Sequence, residues 1–262
     1  MAPMKKPSRP LPWLARGERC PALDTAWGLH DPAPGLLAAG ASLDVATLVD
    51  AYSQGIFPWF SQGQPNLWWS PDPRMVLMAR NFKLHRSLRK NLNQFAESSR
   101  HSIRFDSAFT EVINACANKP REGQPGTWIL PDMVNAYCAL HRSGYAHSVE
   151  TWIDGELAGG LYCVNLGRMV FGESMFAHRT DASKIALAAL VAFCLAHQIE
   201  MIDCQQNTGH LASLGATEIG RRQFIDHVGK TIVDSPPRWH FEPVYWDKIL
   251  TNRTRPVLMP EP

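Results

Sequence analysis

No CxxC pair occurs in this chain. Its six cysteines (Cys20, Cys116, Cys138, Cys163, Cys194 and Cys204) stand at spacings that fit neither a paired-thiol zinc site nor a disulfide framework. They read as the reduced thiols of a cytoplasmic protein, and no metal is expected. No apolar run approaches the ~20 residues of a membrane span. The basic, proline-containing stretch from Met1 to Arg19 lacks the apolar segment of a secretory signal. Net charge is nearly absent at +2, too small to mark a nucleic-acid binder by overall field. A glycine-rich turn leading into a helix, the usual cradle for a pyrophosphate, is missing as well. The residues ahead of the long apolar stretch Ala182–His197 are Ala177-His178-Arg179-Thr180-Asp181.

What is present is more specific. The chain is long enough, at 262 residues with 45% hydrophobic content, to bury a sizeable core in one large domain or two small ones. Tryptophan is abundant at nine residues, which points to a stacking or binding surface in addition to a core. Positive charge is concentrated locally: Lys83, Arg86, Arg89, Lys90, Arg100 and Arg104 face a single Glu97 in that stretch. Such a cluster is either a solvated face or a track for phosphates.

Residues 1–19 read as a flexible arm and 251–262 as a tail, with an N-terminal unit at 20–120 and a second unit at 121–250. In the first unit, Asp44–Ser53 has the pattern of a short amphipathic helix, with Ser42 as N-cap and Gly55 as its stop. Pro58 and Pro71 then break two aromatic loops, Gly55-Ile56-Phe57-Pro58-Trp59-Phe60 and Leu67-Trp68-Trp69-Ser70-Pro71-Asp72-Pro73-Arg74. A helix is expected near Ser107–Asn118 and another at Pro131–Ser143, opened by proline and closed by Gly144. Strand-like runs follow at His147–Ile153, Leu157–Asn165 and Met169–Met175, separated by turns at Asp154-Gly155 and Leu166-Gly167. Asp181 is placed to cap the helix Ala182–His197, and a strand follows at Glu200–Gln205. The order, an antiparallel meander, a helix and another strand, predicts an α+β fold.

Asp203 and Gln205 lie two apart on that strand, so their side chains share a face. Glu173 sits in an otherwise apolar strand, where a carboxylate needs a partner. That partner is either a ligand's amine or an internal cation such as Lys184 or Arg179. Met175, Phe176 and Leu187 read as core or as the wall of an adaptable pocket. His147 and Glu150 are three apart on one strand, on opposite faces, which argues against a dyad.

Nine contiguous strings place these residues in a known pattern. They are Gly35-Leu36-Leu37-Ala38, Ala51-Tyr52-Ser53-Gln54-Gly55-Ile56-Phe57-Pro58-Trp59-Phe60, Trp68-Trp69-Ser70-Pro71-Asp72-Pro73-Arg74, Gly126-Thr127-Trp128-Ile129, Ala146-His147-Ser148-Val149-Glu150, Gly172-Glu173-Ser174-Met175-Phe176, Ala182-Ser183-Lys184, Ile202-Asp203-Cys204-Gln205 and Ser213-Leu214-Gly215-Ala216. In this order the chain resembles the leucyl/phenylalanyl-tRNA–protein transferases from about Gly35 to Val228, with Cys163 standing where a glycine is expected.

The resemblance implies an acetyltransferase-like C-terminal domain with a smaller N-terminal α/β domain. It also implies a monomeric enzyme without cofactor that moves Leu or Phe, or Met, from aminoacyl-tRNA to the N-terminal Arg or Lys of acceptor proteins. The product is an N-degron, a mark for proteolysis. Carried over residue by residue, Asp203, Gln205 and Glu173 become catalytic. Gln205 would orient the attacking amine, Asp203 would polarise Gln205 or relay a proton, and either Asp203 or Glu173 would meet the acceptor's basic end. Trp59, Trp128, Tyr137, Met175, Phe176 and Leu187 become substrate-binding, the two indoles lying near the terminal adenosine. Lys83, Arg86, Arg89 and Lys90 become tRNA contacts. Two rivals stand beside this reading: a CoA-dependent N-acetyltransferase, disfavoured by the missing glycine turn, and a non-catalytic tRNA-binding module.

Overall fold

Asp44 opens the first helix, α1 (Val45–Ser53), by accepting the Thr47 backbone N–H at 2.9 Å; Ser42, the expected cap, hydrogen-bonds the Asp44 carboxylate instead. Asp44 lies three residues before Thr47, the reach a capping side chain needs, and Ser42 is too far back. Helix α1 stops at Gly55, whose φ is +70° and whose absent Cβ leaves room for Phe224 and Ile225. The structure, a computed structural model, describes residues 7–118 and 129–251.

Four short strands make a small sheet in the order β1-β2-β4-β3: β1 (Trp13–Leu14), β2 (Leu36–Gly40), β3 (Phe57–Pro58) and β4 (Leu67–Trp69). Strand β1 lies within residues 1–19, the stretch read above as a flexible arm. Leu14 is buried, the strand pairs in parallel with β2, and Ser8 hydrogen-bonds Asp31.

Seven strands make the main sheet: β5 (Arg74–Met78), β6 (His101–Phe105), β7 (Ala146–Ile153), β8 (Glu156–Leu166), β9 (Met169–Ala177), β10 (Met201–Gln205) and β11 (Thr217–Ile219). Their order is β11-β5-β10-β9-β8-β7-β6. The 120/121 division therefore does not separate the sheets, because β5 and β6 come from before it. The change from one sheet to the other falls between β4 and β5. At the β7–β8 turn, Asp154 and Gly155 both have positive φ, which matches the right-handed twist of the flanking strands. All pairings in this sheet are antiparallel except β9 with β10, which are joined by helix α5 (Ala182–Ala196).

Alternation along the strands explains the two cores. On β5, Val76 faces one side while Met75 and Leu77 face the other; on β8, Tyr162 and Val164 oppose Leu161 and Cys163. One side packs under the small sheet, α1 and three further helices: α3 (Phe109–Ala117), α4 (Pro131–Arg142) and α7 (Arg221–Thr231). The other packs under α2 (Arg86–Glu97), α5 and a C-terminal segment carrying Phe241, Trp246 and Ile249. Helix α5 is buried on nearly every side, which is why its sequence is apolar all round. Asp181 precedes it in a left-handed conformation and makes no side-chain cap; its carboxylate takes Lys184 and Asn91 instead. A short helix, α6 (Gly209–Ser213), follows β10. Among the described residues no helix is long and apolar enough to cross a membrane.

Candidate active site

Strands β9 and β10 pair only at Val170–Ile202 and Phe171–Asp203, and beyond these residues both become irregular. On β9, Gly172 faces Cys163 and Ser174 faces Tyr162, so Glu173 is an extra, bulged residue. On β10, Asp203 faces Val76 and Gln205 faces Met75, so Cys204 is the extra one. Bulges of this kind re-aim side chains and end pairing. They open the sheet here and point Glu173 and Gln205 at each other: Gln205 Nε2 donates to Glu173 Oε1 at 3.0 Å.

Glu173 is the centre of a small polar network in an otherwise apolar region. Tyr52 on α1 donates its phenol proton to Oε1 at 2.6 Å, and Tyr137 on α4 lies 3.2 Å from Oε2. The two phenol oxygens are 2.5 Å apart. Burial pushes the Glu173 carboxyl up to about 8, the nearby Asp203 charge adds to this, and the donors Tyr52, Tyr137 and Gln205 draw it back. Both phenols are held well above their ordinary value, by burial first and then by the Glu173 charge. Lys184 and Arg179, the cations considered as partners for Glu173, are committed elsewhere: Lys184 to Asp181, and Arg179 to Asp154 and Glu156.

Asp203 is fully buried, at the wall of the cavity described below. Arg74 on β5 grips it with two parallel bonds, Nε to Oδ1 at 2.8 Å and Nη2 to Oδ2 at 2.6 Å. Oδ1 also accepts the backbone N–H of Gln205 at 2.9 Å. Its contact with Gln205 is therefore to the backbone, and its charge is already balanced.

Beside this network lies a cavity of about 510 Å³, walled mainly by Leu161, Met175, Leu187, Leu190, Ile202 and Cys204. Met175 and Leu187 are thus where a pocket requires them. Phe176 is not: it is buried in the opposite core, because consecutive strand residues face opposite sides. Cys204 is an unreactive wall, since burial pushes its thiol well above its ordinary value.

The remaining residues are spread around this centre. Trp59 is half-buried, with its ring 5.3 Å from that of Trp69 in an edge arrangement. Trp128 lies outside the described residues. On α2, Leu88, Leu92 and Phe95 face the core, while Arg86 and Lys90, like Lys83 before the helix, are exposed. Arg89 departs from this set, reaching the Leu250 carbonyl at 3.0 Å. His147 and Glu150 do not form a dyad: His147 bonds Asp106, and Glu150 accepts the Ala108 N–H at the start of α3. No group of three or more His, Cys, Asp or Glu is placed to hold a metal among the described residues.

Tyr52 and Arg74 escaped the sequence reading. Each carried a signal: Arg74 begins an apolar strand, Arg74–Met78, where a charge requires a partner, and Tyr52 stands on the apolar face of α1.

The chain is similar to known proteins along most of its length. Residues 76–229 match the family model described as leucyl/phenylalanyl-tRNA protein transferase, and residues 41–72 match its N-terminal domain. The leucyl/phenylalanyl-tRNA–protein transferase of Polaromonas sp. (strain JS666 / ATCC BAA-500) is 71% identical over 248 residues, covering 95% of this chain and 97% of its own. That of Albidiferax ferrireducens is 59% identical over 242 residues, covering 92% and 95%. Likeness to solved structures is lower: the structure of L-PGS from Bacillus licheniformis is 12% identical with a TM-score of 0.34, covering 74% of this chain and 63% of that one. The two matched stretches divide where the small sheet gives way to the large one, and Glu173, Asp203 and Gln205 all lie in the longer stretch. This chain belongs to the leucyl/phenylalanyl-tRNA protein transferase family.

Proposed function

We propose that this chain transfers Leu or Phe from aminoacyl-tRNA to the N-terminal Arg or Lys of acceptor proteins, marking them for proteolysis. It acts as a cytoplasmic monomer without cofactor. The observation that carries the reading is the hydrogen-bonded meeting of Glu173 and Gln205 beside an apolar cavity, in a chain of this family.

The reaction is aminolysis. The acceptor's α-nitrogen bonds to the ester carbonyl carbon, the carbon–oxygen bond to the tRNA ribose breaks, and the amine's proton ends on the ribose oxygen. An α-amine of pKa ~7.7–8.0 is partly neutral at cellular pH, so positioning matters more than a strong base. Because Gln205 Nε2 is tied to Glu173, its amide oxygen is the end left to accept an N–H from the attacking amine. Glu173, with a pKa of about 8, is matched in proton affinity to an α-amine and suits the amino group of the bound aminoacyl residue. The cavity walled by Met175 and Leu187 takes the aminoacyl side chain, and the flexible Met accommodates more than one shape. Trp59 stacks on the terminal adenosine, and Lys83, Arg86 and Lys90 meet tRNA phosphates.

The antiparallel meander β7–β9, followed by α5 and a strand β10 parallel to β9, supports reading the main sheet as acetyltransferase-like. A CoA-type use of it is opposed by Asp181, whose carboxylate sits at the helix end that would greet a pyrophosphate. The test is to incubate the chain with labelled leucyl- or phenylalanyl-tRNA and a peptide beginning with Arg, with no CoA or ATP. Label passing to the peptide is the expected result; failure with both tRNAs at saturating peptide overturns the reading.

A further inference from the structure

Gln205 is held in an unusual backbone conformation. Its φ is +61°, a left-handed value that a residue with a side chain adopts only where its surroundings over-determine it. Two features enforce it here: the bulge at Cys204, and the bond from the Gln205 N–H to Asp203 Oδ1. Asp203 keeps that acceptor oriented only while its carboxylate is held in place, and at 0% exposure water cannot do this.

Arg74 does it instead. Its guanidinium, itself 1% exposed, meets both carboxylate oxygens in a planar fork across 129 residues of sequence. The fork is in turn clamped between two rings, Phe57 of β3 at 4.7 Å and Phe224 of α7 at 4.6 Å. The side chains run in one line: rings to guanidinium, guanidinium to carboxylate, carboxylate to the Gln205 backbone, and Gln205 amide to Glu173.

We infer that Arg74 is a positioning residue for aminoacyl transfer, acting through Asp203 to hold the Gln205 backbone in the left-handed turn that aims its amide at Glu173. The inference rests on the role given to Gln205 above. A lysine in place of Arg74 keeps the charge but offers a point donor in place of a fork, so it cannot fix both carboxylate oxygens.

The test uses the full chain with labelled leucyl-tRNA and an Arg-initiated peptide, measuring kcat and donor KM for wild type, Arg74→Lys, Gln205→Ala and the double variant. Arg74→Lys is expected to lower kcat by about 10- to 100-fold while leaving donor KM nearly unchanged, as a small misplacement of a reacting group does. In the Gln205→Ala background, Arg74→Lys is expected to have no further effect beyond about twofold, because residues acting through one another do not lose additively. Should Arg74→Lys not fold, Arg74→Ala supplemented with ethylguanidinium, which fills the slot between Phe57 and Phe224, carries the same comparison. Additive losses, or a loss confined to donor KM, overturn the inference while leaving the role of Gln205 intact. Wild-type kcat in Gln205→Ala overturns both.

Discussion

Gln205 Nε2 donates to Glu173 Oε1 at 3.0 Å, and this bond bridges the opening where β9 and β10 cease to pair. Backbone pairing has ended there, so two side chains do the joining. Each reaches the opening because its strand carries a bulge, one at Glu173 and one at Cys204.

The pKa of Glu173 gives the fold a pH dependence with a definite sign. The folded-state value is raised from 4.5 to about 8, so the protonated form is favoured by folding. Its stabilising contribution is fully present below the unfolded value and is lost as pH rises through the folded one. The thermal midpoint is therefore expected to fall between about pH 4.5 and pH 8, and to fall less steeply in Glu173→Gln. Parallel slopes in the two proteins would contradict the assignment.

Tyr52→Phe removes one donor to the Glu173 carboxylate and disturbs the phenol pair with Tyr137. Since that donor favours the charged form, the Glu173 pKa should rise further still. The loss should also cost about 1–3 kcal/mol of stability, typical of a buried hydrogen-bonding group left short of a partner. Carbon-13 titration of Glu173 and urea unfolding check the two parts separately.

Trp59 is half-buried against Trp69, which leaves part of its indole face for a base. Trp59→Ala is expected to weaken donor binding by about 1–3 kcal/mol, with Trp59→Phe retaining part of it. If packing is its main role, Trp59→Ala will instead lower the unfolding temperature sharply and leave affinity per folded molecule unchanged.

Helix α2 carries two exposed cations, Arg86 and Lys90, and a third, Arg89, that is bound to the fold. Reversing the exposed Arg86 and Lys90 to Glu should weaken binding of every tRNA and flatten its salt dependence. Reversing Arg89, which bonds the Leu250 carbonyl, should chiefly lower thermal stability. An unchanged salt slope in the Arg86/Lys90 variant would return these residues to a solvated face.

Much of the local architecture was legible from residue order. Proline at the start of α4, Asp154-Gly155 at the β7–β8 turn and the unbroken apolar run of α5 act over a few residues, and their elements appear within a residue or two of expectation. Caps were read less well. Ser42 and Asp181 have the right chemistry, but Asp44 competes for one helix end and Lys184 for the other's carboxylate. Sheet membership of β5 and β6 was not legible, because a strand's composition does not say which distant edge it will join.

The candidate site divides the same way. Residue order alone determined the family strings, the need of Glu173 for a partner in an apolar strand, and the closeness of Asp203 to Gln205. Only the tertiary structure decided that Glu173 answers to Tyr52, Tyr137 and Gln205, and that Asp203 answers to Arg74. It also turned Phe176 away from the cavity that Met175 lines. The physical reason is range. Periodicity, capping and turn chemistry are settled between neighbours in sequence, whereas desolvated charges are partnered by whatever the strand order and the bulges bring beside them.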